Sequence, residues 1–197
     1  TENSVEVTSL GVQVHGGMGF IEETGAAQYY RDSRILPIYE GTTAIQANDL
    51  VGRKTARDGG AVAKAVAAQI ADTEGQLNAR SSEAGKKLAK QLKAARESFL
   101  QVVDFVVANV KSNPNAVFAG SVSYLMLTGN LVAGWQMARA LMAAEDLLAA
   151  GEDAEFMAAK IATARFYGDH ILARTASLRD TILEGGDSVT AMPVDAF

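Results

Sequence analysis

Residues 86–110 read KKLAKQLKAARESFLQVVDFVVANV, and within them Leu88, Leu92, Ala95, Phe99, Val102 and Val106 recur at steps of four and three. That spacing lines six apolar side chains along one face of a helix, the seam by which helices pack nearly antiparallel in a bundle. The most apolar window, FLQVVDFVVANV at 99–110, is too short to cross a bilayer and is interrupted by Asp104.

Working outward, the pattern repeats. Tyr124, Leu127, Leu131, Gly134, Ala138 and Leu141 form a second stripe, and Ile161, Ala164, Gly168, Ile171, Thr175, Leu178 and Ile182 a third. Between them lie KSNPNA at 111–116 and AAGEDAE at 149–155, short polar connections with proline, glycine or an N-capping aspartate. Short connections make neighbours antiparallel, so the expectation is an all-α, up-and-down bundle of about four helices in which Gly134 and Gly168 let the axes approach closely. Only three prolines among 197 residues, with 48% hydrophobic content, fit long helices.

The first 58 residues are different, punctuated by turn chemistry. The change comes at RKTARDGGAVAKA, where Asp58-Gly59-Gly60 reads as a helix stop followed by a fresh start. The expected domains are therefore 1–58 and 59–197. The start, TENSVEVTSLGVQ, has no initiator methionine and no signal-peptide pattern, as in a piece of a longer polypeptide.

Charge and composition remove several functions. A net charge of -5 argues against nucleic acid as a partner, and the absence of cysteine excludes disulfides and thiolate chemistry and suits a reducing, cytoplasmic setting. His15 and His170 have no metal-ligand spacing, so no metal is expected, and His170 near the Ile171 seam reads as structural. The basic run Lys86, Lys87, Lys90, Lys93, Arg96 is flanked by Glu83 and Glu97 without interleaved aromatics, and reads as a solvated face. Trp135, beside Gly134, reads as bundle packing.

Two segments of the first region remain. GVQVHGGMGF carries glycines that bring backbone N–H groups close to a ligand, and a glycine-rich helix stop has the same appearance. In QYYRDSRILPIYEGTTAIQ, Pro37 ends any preceding helix, and Thr42 or Thr43 caps a new one from about Ala44 to Arg57. Glu40 then sits in the connection. A loop glutamate is ordinarily solvated and inert; desolvation by Ile38 and Tyr39 would raise its affinity for a proton and make it a competent base.

The ordered pair QVHGGMGF and YYRDSRILPIYEGTTAIQ resembles the end of the catalytic C-terminal helical domain of acyl-CoA dehydrogenases. The match covers roughly residues 1–58, and RFYGDHILARTASLRDTILEGGDSVTAMPVDAF resembles the tail of a long branch with an extra C-terminal helical domain. GFIEETGAAQYYRD, Met18 and Ala44 depart from the shorter members and fit that branch.

The resemblance implies that Glu40 is the general base for the α-proton of an acyl-CoA, that its backbone N–H polarises the thioester oxygen, and that Gly41 leaves room for substrate. It implies FAD as cofactor, touched by Thr42 and by Gln13, Gly16 and Gly17. Arg31 and Asp32 match a loop-fixing ion pair. Electron-transfer flavoprotein as acceptor and a homo-oligomer follow by the same resemblance. It also implies that the isolated chain is inactive. The competing expectation is a non-catalytic assembly or binding module, against which the retained Glu40 and the missing basic surface speak.

Overall fold

The computed structural model describes residues 1–196, and no strand occurs among them. The all-α expectation holds. Two compact units divide between Asn48 and Asp49.

The first unit contains α1 (Glu2–Val14), α2 (Gly17–Phe20), a 3-10 turn at Glu22–Thr24, α3 (Ala26–Ser33) and most of α4 (Thr43–Asp49). Polar stitches hold it together. Thr8 Oγ1 and Ser33 Oγ lie 2.8 Å apart between α1 and α3, Thr43 Oγ1 donates to the Glu2 carboxylate, and Thr24 Oγ1 donates to the Met18 carbonyl over 2.5 Å. Its only buried apolar side chains are Pro37 and Ala47.

The second unit begins with π-helical residues Leu50–Ala56, whose Val51 and Thr55 are buried in its own core. Thr55 Oγ1 and the Tyr124 hydroxyl lie 3.0 Å apart, and burial pushes the Tyr124 phenol above its ordinary pKa. This packing is why the compact unit starts at Asp49, ahead of the Asp58-Gly59-Gly60 stop. That stop has the expected geometry, with Gly60 at φ 81°. The Asp58 carboxylate accepts from the N–H groups of Val62 and Gly60, chiefly Val62, which holds its pKa below the ordinary value.

Four rods follow. They are α5 (Ala61–Asn78), α6 (Glu83–Asn109), α8 (Ser121–Ala149) and a composite of α9 (Ala154–Tyr167), π-helical Gly168–Leu172 and α10 (Arg174–Glu184); a short α7 (Pro114–Ala119) bridges α6 and α8, and α11 (Gly186–Thr190) follows α10. Ser82 caps α6 by accepting from Gly85 N–H, Asn113 caps α7 at its Pro114 start, and Asp153 caps α9. The first two expected stripes are buried throughout. Full burial of a Leu, Val or Phe side chain is worth roughly 1.5–3 kcal/mol, and α6 buries more such side chains than any other helix.

The third stripe needs one correction. Leu172 is buried in the core where Ile171 was expected, because the π turn winds less per residue than an α-helix and delays the return to the core face. Leu172 lies against Gly134, where an added Cβ would come within 2.5 Å of Leu172 Cδ2. A Cβ at Gly168 would overlap the Gln91 side chain, so both seam glycines permit close approach as read. His170 is exposed and stacks on Phe166 at 4.5 Å, outside the seam.

Four of the five residues of the basic run have acidic partners. Lys86 pairs with Glu83, Lys87 with Asp169, Lys93 with Glu97, and Arg96 grips the buried Glu74 carboxylate with Nε and Nη2 at 2.7 and 2.9 Å. Trp135 donates to Thr73 Oγ1 over 2.7 Å, as bundle packing requires.

Gly134→Val is expected to destabilise by about 1–3 kcal/mol through overpacking against Leu172. Gly129→Ala on the same helix meets nothing within 4 Å and is expected to gain about 0.5–1 kcal/mol; urea denaturation compares the two. A second expectation concerns pH. Hydrogen bonds from Lys87 and Gln91 hold the Asp169 carboxyl below its ordinary pKa, so its stabilisation is present above the unfolded value of about 4 and is lost as pH falls through the lowered folded value. Asp169→Asn should flatten the acid limb of the stability profile.

Candidate active site

The loop that carries Glu40 is built from turns. Ile38 N–H and Tyr39 N–H both donate to the Ile35 carbonyl, at 2.9 and 3.1 Å, and the chain then reverses through Glu40 at φ 52° and Gly41 at φ 91°. Glu40 is one of two non-glycine residues with positive φ among those described. L-residues avoid this region, and such outliers cluster at functional sites.

The far side of the loop is tied to α4. Thr42 Oγ1 accepts from Ile45 N–H at 3.4 Å and the Thr42 carbonyl accepts from Gln46 N–H at 3.0 Å, making Thr42, of the two candidate threonines, the cap. Gln46 Nε2 reaches back to donate to the Glu40 carbonyl over 3.1 Å. Thr43 N–H donates to the Pro37 carbonyl at 3.3 Å, closing the loop's base. No described residue accepts a hydrogen bond from the Glu40 N–H.

Within this unit Glu40 is exposed, and Ile38 and Tyr39 remain 52% and 50% exposed. The chain's own neighbours therefore do not supply the desolvation that the sequence suggested, since both side chains project to the unit's surface.

The glycine block lies at the other end of α1. Gln13 is in its last turn, the Gln13 carbonyl accepts from Gly16 N–H at 3.1 Å, and Gly16 has φ 60° before α2 begins at Gly17. The block is thus a helix stop, one of the two readings left open. It also leaves backbone open, because an added Cβ at either Gly16 or Gly17 would meet nothing within 4 Å. Gly19, which sequence reasoning did not single out, carries the packing: a Cβ there would overlap the Val12 carbonyl.

Glu2, bonded to Thr43, and Gln13 stand eleven residues apart on α1, which is roughly 16 Å at about 1.5 Å rise per residue. The structure therefore brings Glu40, Gly41 and Thr42 together and keeps Gln13, Gly16 and Gly17 as a second cluster. A groove of about 890 Å³ lined by Val12, Phe20, Ile21, Tyr30 and Arg34 includes neither cluster. The expected Arg31–Asp32 pair is absent. Arg31 reaches Glu22 at 3.0 Å instead, both side chains largely exposed. Among the described residues no cluster of three potential metal ligands occurs, and no helix is long and apolar enough to cross a membrane.

Two family profiles cover most of the chain. Residues 1–55 match "Acyl-CoA dehydrogenase, C-terminal domain", and residues 62–193 match "Acetyl-CoA dehydrogenase C-terminal like". A 3-methylmercaptopropionyl-CoA dehydrogenase of Ruegeria pomeroyi is 54% identical over 96% of this chain and 32% of its own length. The broad-specificity linear acyl-CoA dehydrogenase FadE5 of Mycobacterium tuberculosis is 34% identical over 94% of this chain and 32% of its own. The rat mitochondrial short-chain specific acyl-CoA dehydrogenase is 46% identical over 46 residues, 23% of this chain and 11% of its own length. The chain thus spans about a third of the length of the first two relatives.

The Gly19 contact gives a third expectation. Gly19→Ala should pry α2 from α1 and speed proteolysis between Val14 and Ile21, whereas Gly17→Ala should leave cleavage unchanged. Limited proteolysis followed by mass spectrometry distinguishes them.

Proposed function

Because this chain belongs to the acyl-CoA dehydrogenase family, we propose that it supplies the catalytic base and part of the cofactor site of an FAD-dependent enzyme that introduces an α,β double bond into an acyl-CoA thioester. The observation that carries this reading is Glu40 itself, held at positive φ beside Gly41 with its N–H unclaimed by any described residue.

A carbon acid beside a thioester is weak, so abstraction of its proton requires both a base and polarisation of the carbonyl. In this reading the Glu40 carboxylate takes the α-proton while the Glu40 N–H donates to the thioester oxygen. Gly41 keeps the approach clear of a side chain. Bound FAD would supply the acceptor for the β-hydride. Thr42 would meet the cofactor near the reacting end, and Gln13, Gly16 and Gly17 its adenosine end; the open backbone at both glycines fits that use. The separation of the clusters along α1 suits an extended dinucleotide, or two cofactor molecules shared between subunits of a homo-oligomer.

Glu40 needs a dry crevice to become basic. About two thirds of each long relative lies outside the matched segment, and we assign the cover over Ile38, Tyr39 and Glu40 to that part. Residues 1–58 then complete a catalytic helical domain, residues 59–197 form an appended bundle, and the chain by itself is inactive. Electron-transfer flavoprotein is the acceptor and the cytoplasm the setting in this reading.

Glu40→Gln in the full-length, flavin-loaded protein keeps the shape and removes the base. Acyl-CoA should then bleach the flavin absorbance at least about a hundredfold more slowly. Bleaching at the wild-type rate would take Glu40 out of the mechanism and favour a non-catalytic module.

A further inference from the structure

We propose that Gln46 is a positioning residue for Glu40, an inference that rests on the role proposed for Glu40 above. Its side-chain amide donates to the Glu40 carbonyl over 3.1 Å and so fixes the Glu40–Gly41 peptide. Gln46 is itself fixed, because its backbone N–H is bonded to the Thr42 carbonyl on the first turn of α4. The amide thereby returns from a helix to the loop six residues earlier and locks the two consecutive positive-φ residues from the carbonyl side.

Gly41 and Gln46 lie in close contact. A Cβ added at Gly41 would lie 2.7 Å from Gln46 Nε2, so a side chain at position 41 would push the amide aside and loosen its hold on the Glu40 carbonyl. Glycine at 41 is favoured by φ 91°, and it also leaves the amide in place. Without the donor, nothing among the described side chains holds the Glu40 carbonyl, and Glu40 is free to leave the left-handed region that L-residues disfavour. Such a change of φ rotates the Glu40 N–H relative to its carboxylate. Those two groups must address the thioester oxygen and the α-proton of one substrate, so their mutual geometry sets the rate more than the affinity.

The test uses the full-length, flavin-loaded protein with Gln46→Met, which keeps length without a donor, and Gln46→Glu, which replaces the donor by an acceptor. For both, kcat should fall about ten- to a hundredfold, with KM within about twofold because substrate contacts are retained. The absorbance of a chromophoric acyl-CoA thioester, red-shifted on binding when its carbonyl is polarised, should shift less in both variants. Wild-type kcat and red shift in either variant overturn the proposal, as does loss of FAD, which would place Gln46 in cofactor retention. Glu40→Gln measured alongside separates the failures. If it bleaches normally, the role of Glu40 falls; if it is inactive while the Gln46 variants behave as wild type, only the clamp falls.

Discussion

The apolar face of α6 is the constraint from which the bundle follows. Leu88, Leu92, Ala95, Phe99, Val102 and Val106 are all buried, and α5, α8 and the α9–α10 rod each pack on that helix. A helix with so wide a buried stripe cannot remain solvated, and three partners divide the face among them. The polar contacts then fix rotation and depth without driving association. Glu74–Arg96 and Trp135–Thr73 tie α5 to its neighbours, while Lys87 and Gln91 pin Asp169 at the π turn. A buried or half-buried ion pair contributes more to register than to net stability.

The first unit is held by the opposite means. Its side chains bury almost nothing, and its shape comes from hydroxyl bridges, a glycine contact under Val12 and a loop whose backbone stands in an unfavourable region. Strain at Glu40 persists because both sides of the turn are bonded, to Ile35 and Pro37 before it and to Gln46 after it. The groups proposed to act thus lie where backbone geometry is over-determined while side chains remain uncovered.

How much of this was legible depended on the physical scale of each feature. The α6 and α8 stripes were readable because burial imposes a period that survives in sequence. Ile171 was misread for Leu172 because a π turn leaves no periodic trace of its own and shifts the face by one residue. A threonine cap was recognisable from local chemistry, although not which of Thr42 and Thr43 provides it. Arg31 was not assignable from its neighbour Asp32, since its partner Glu22 lies across a turn. The positive φ of Glu40 was hidden, because only glycine advertises that region by type. Gln46 carried no signal before its amide was seen against the Glu40 carbonyl.

The contrast between the units also bears on the order in which the chain matures. Helices joined by segments as short as 79–82 and 150–153 make contacts between near neighbours, a topology that folds quickly. Residues 1–48 precede that bundle in the chain, yet their Val7, Val14, Phe20 and Tyr29 stay exposed within their own unit. The rods can consolidate on contacts of their own, whereas the segment bearing the glutamate keeps apolar side chains uncovered and is the more aggregation-prone of the two until something covers it.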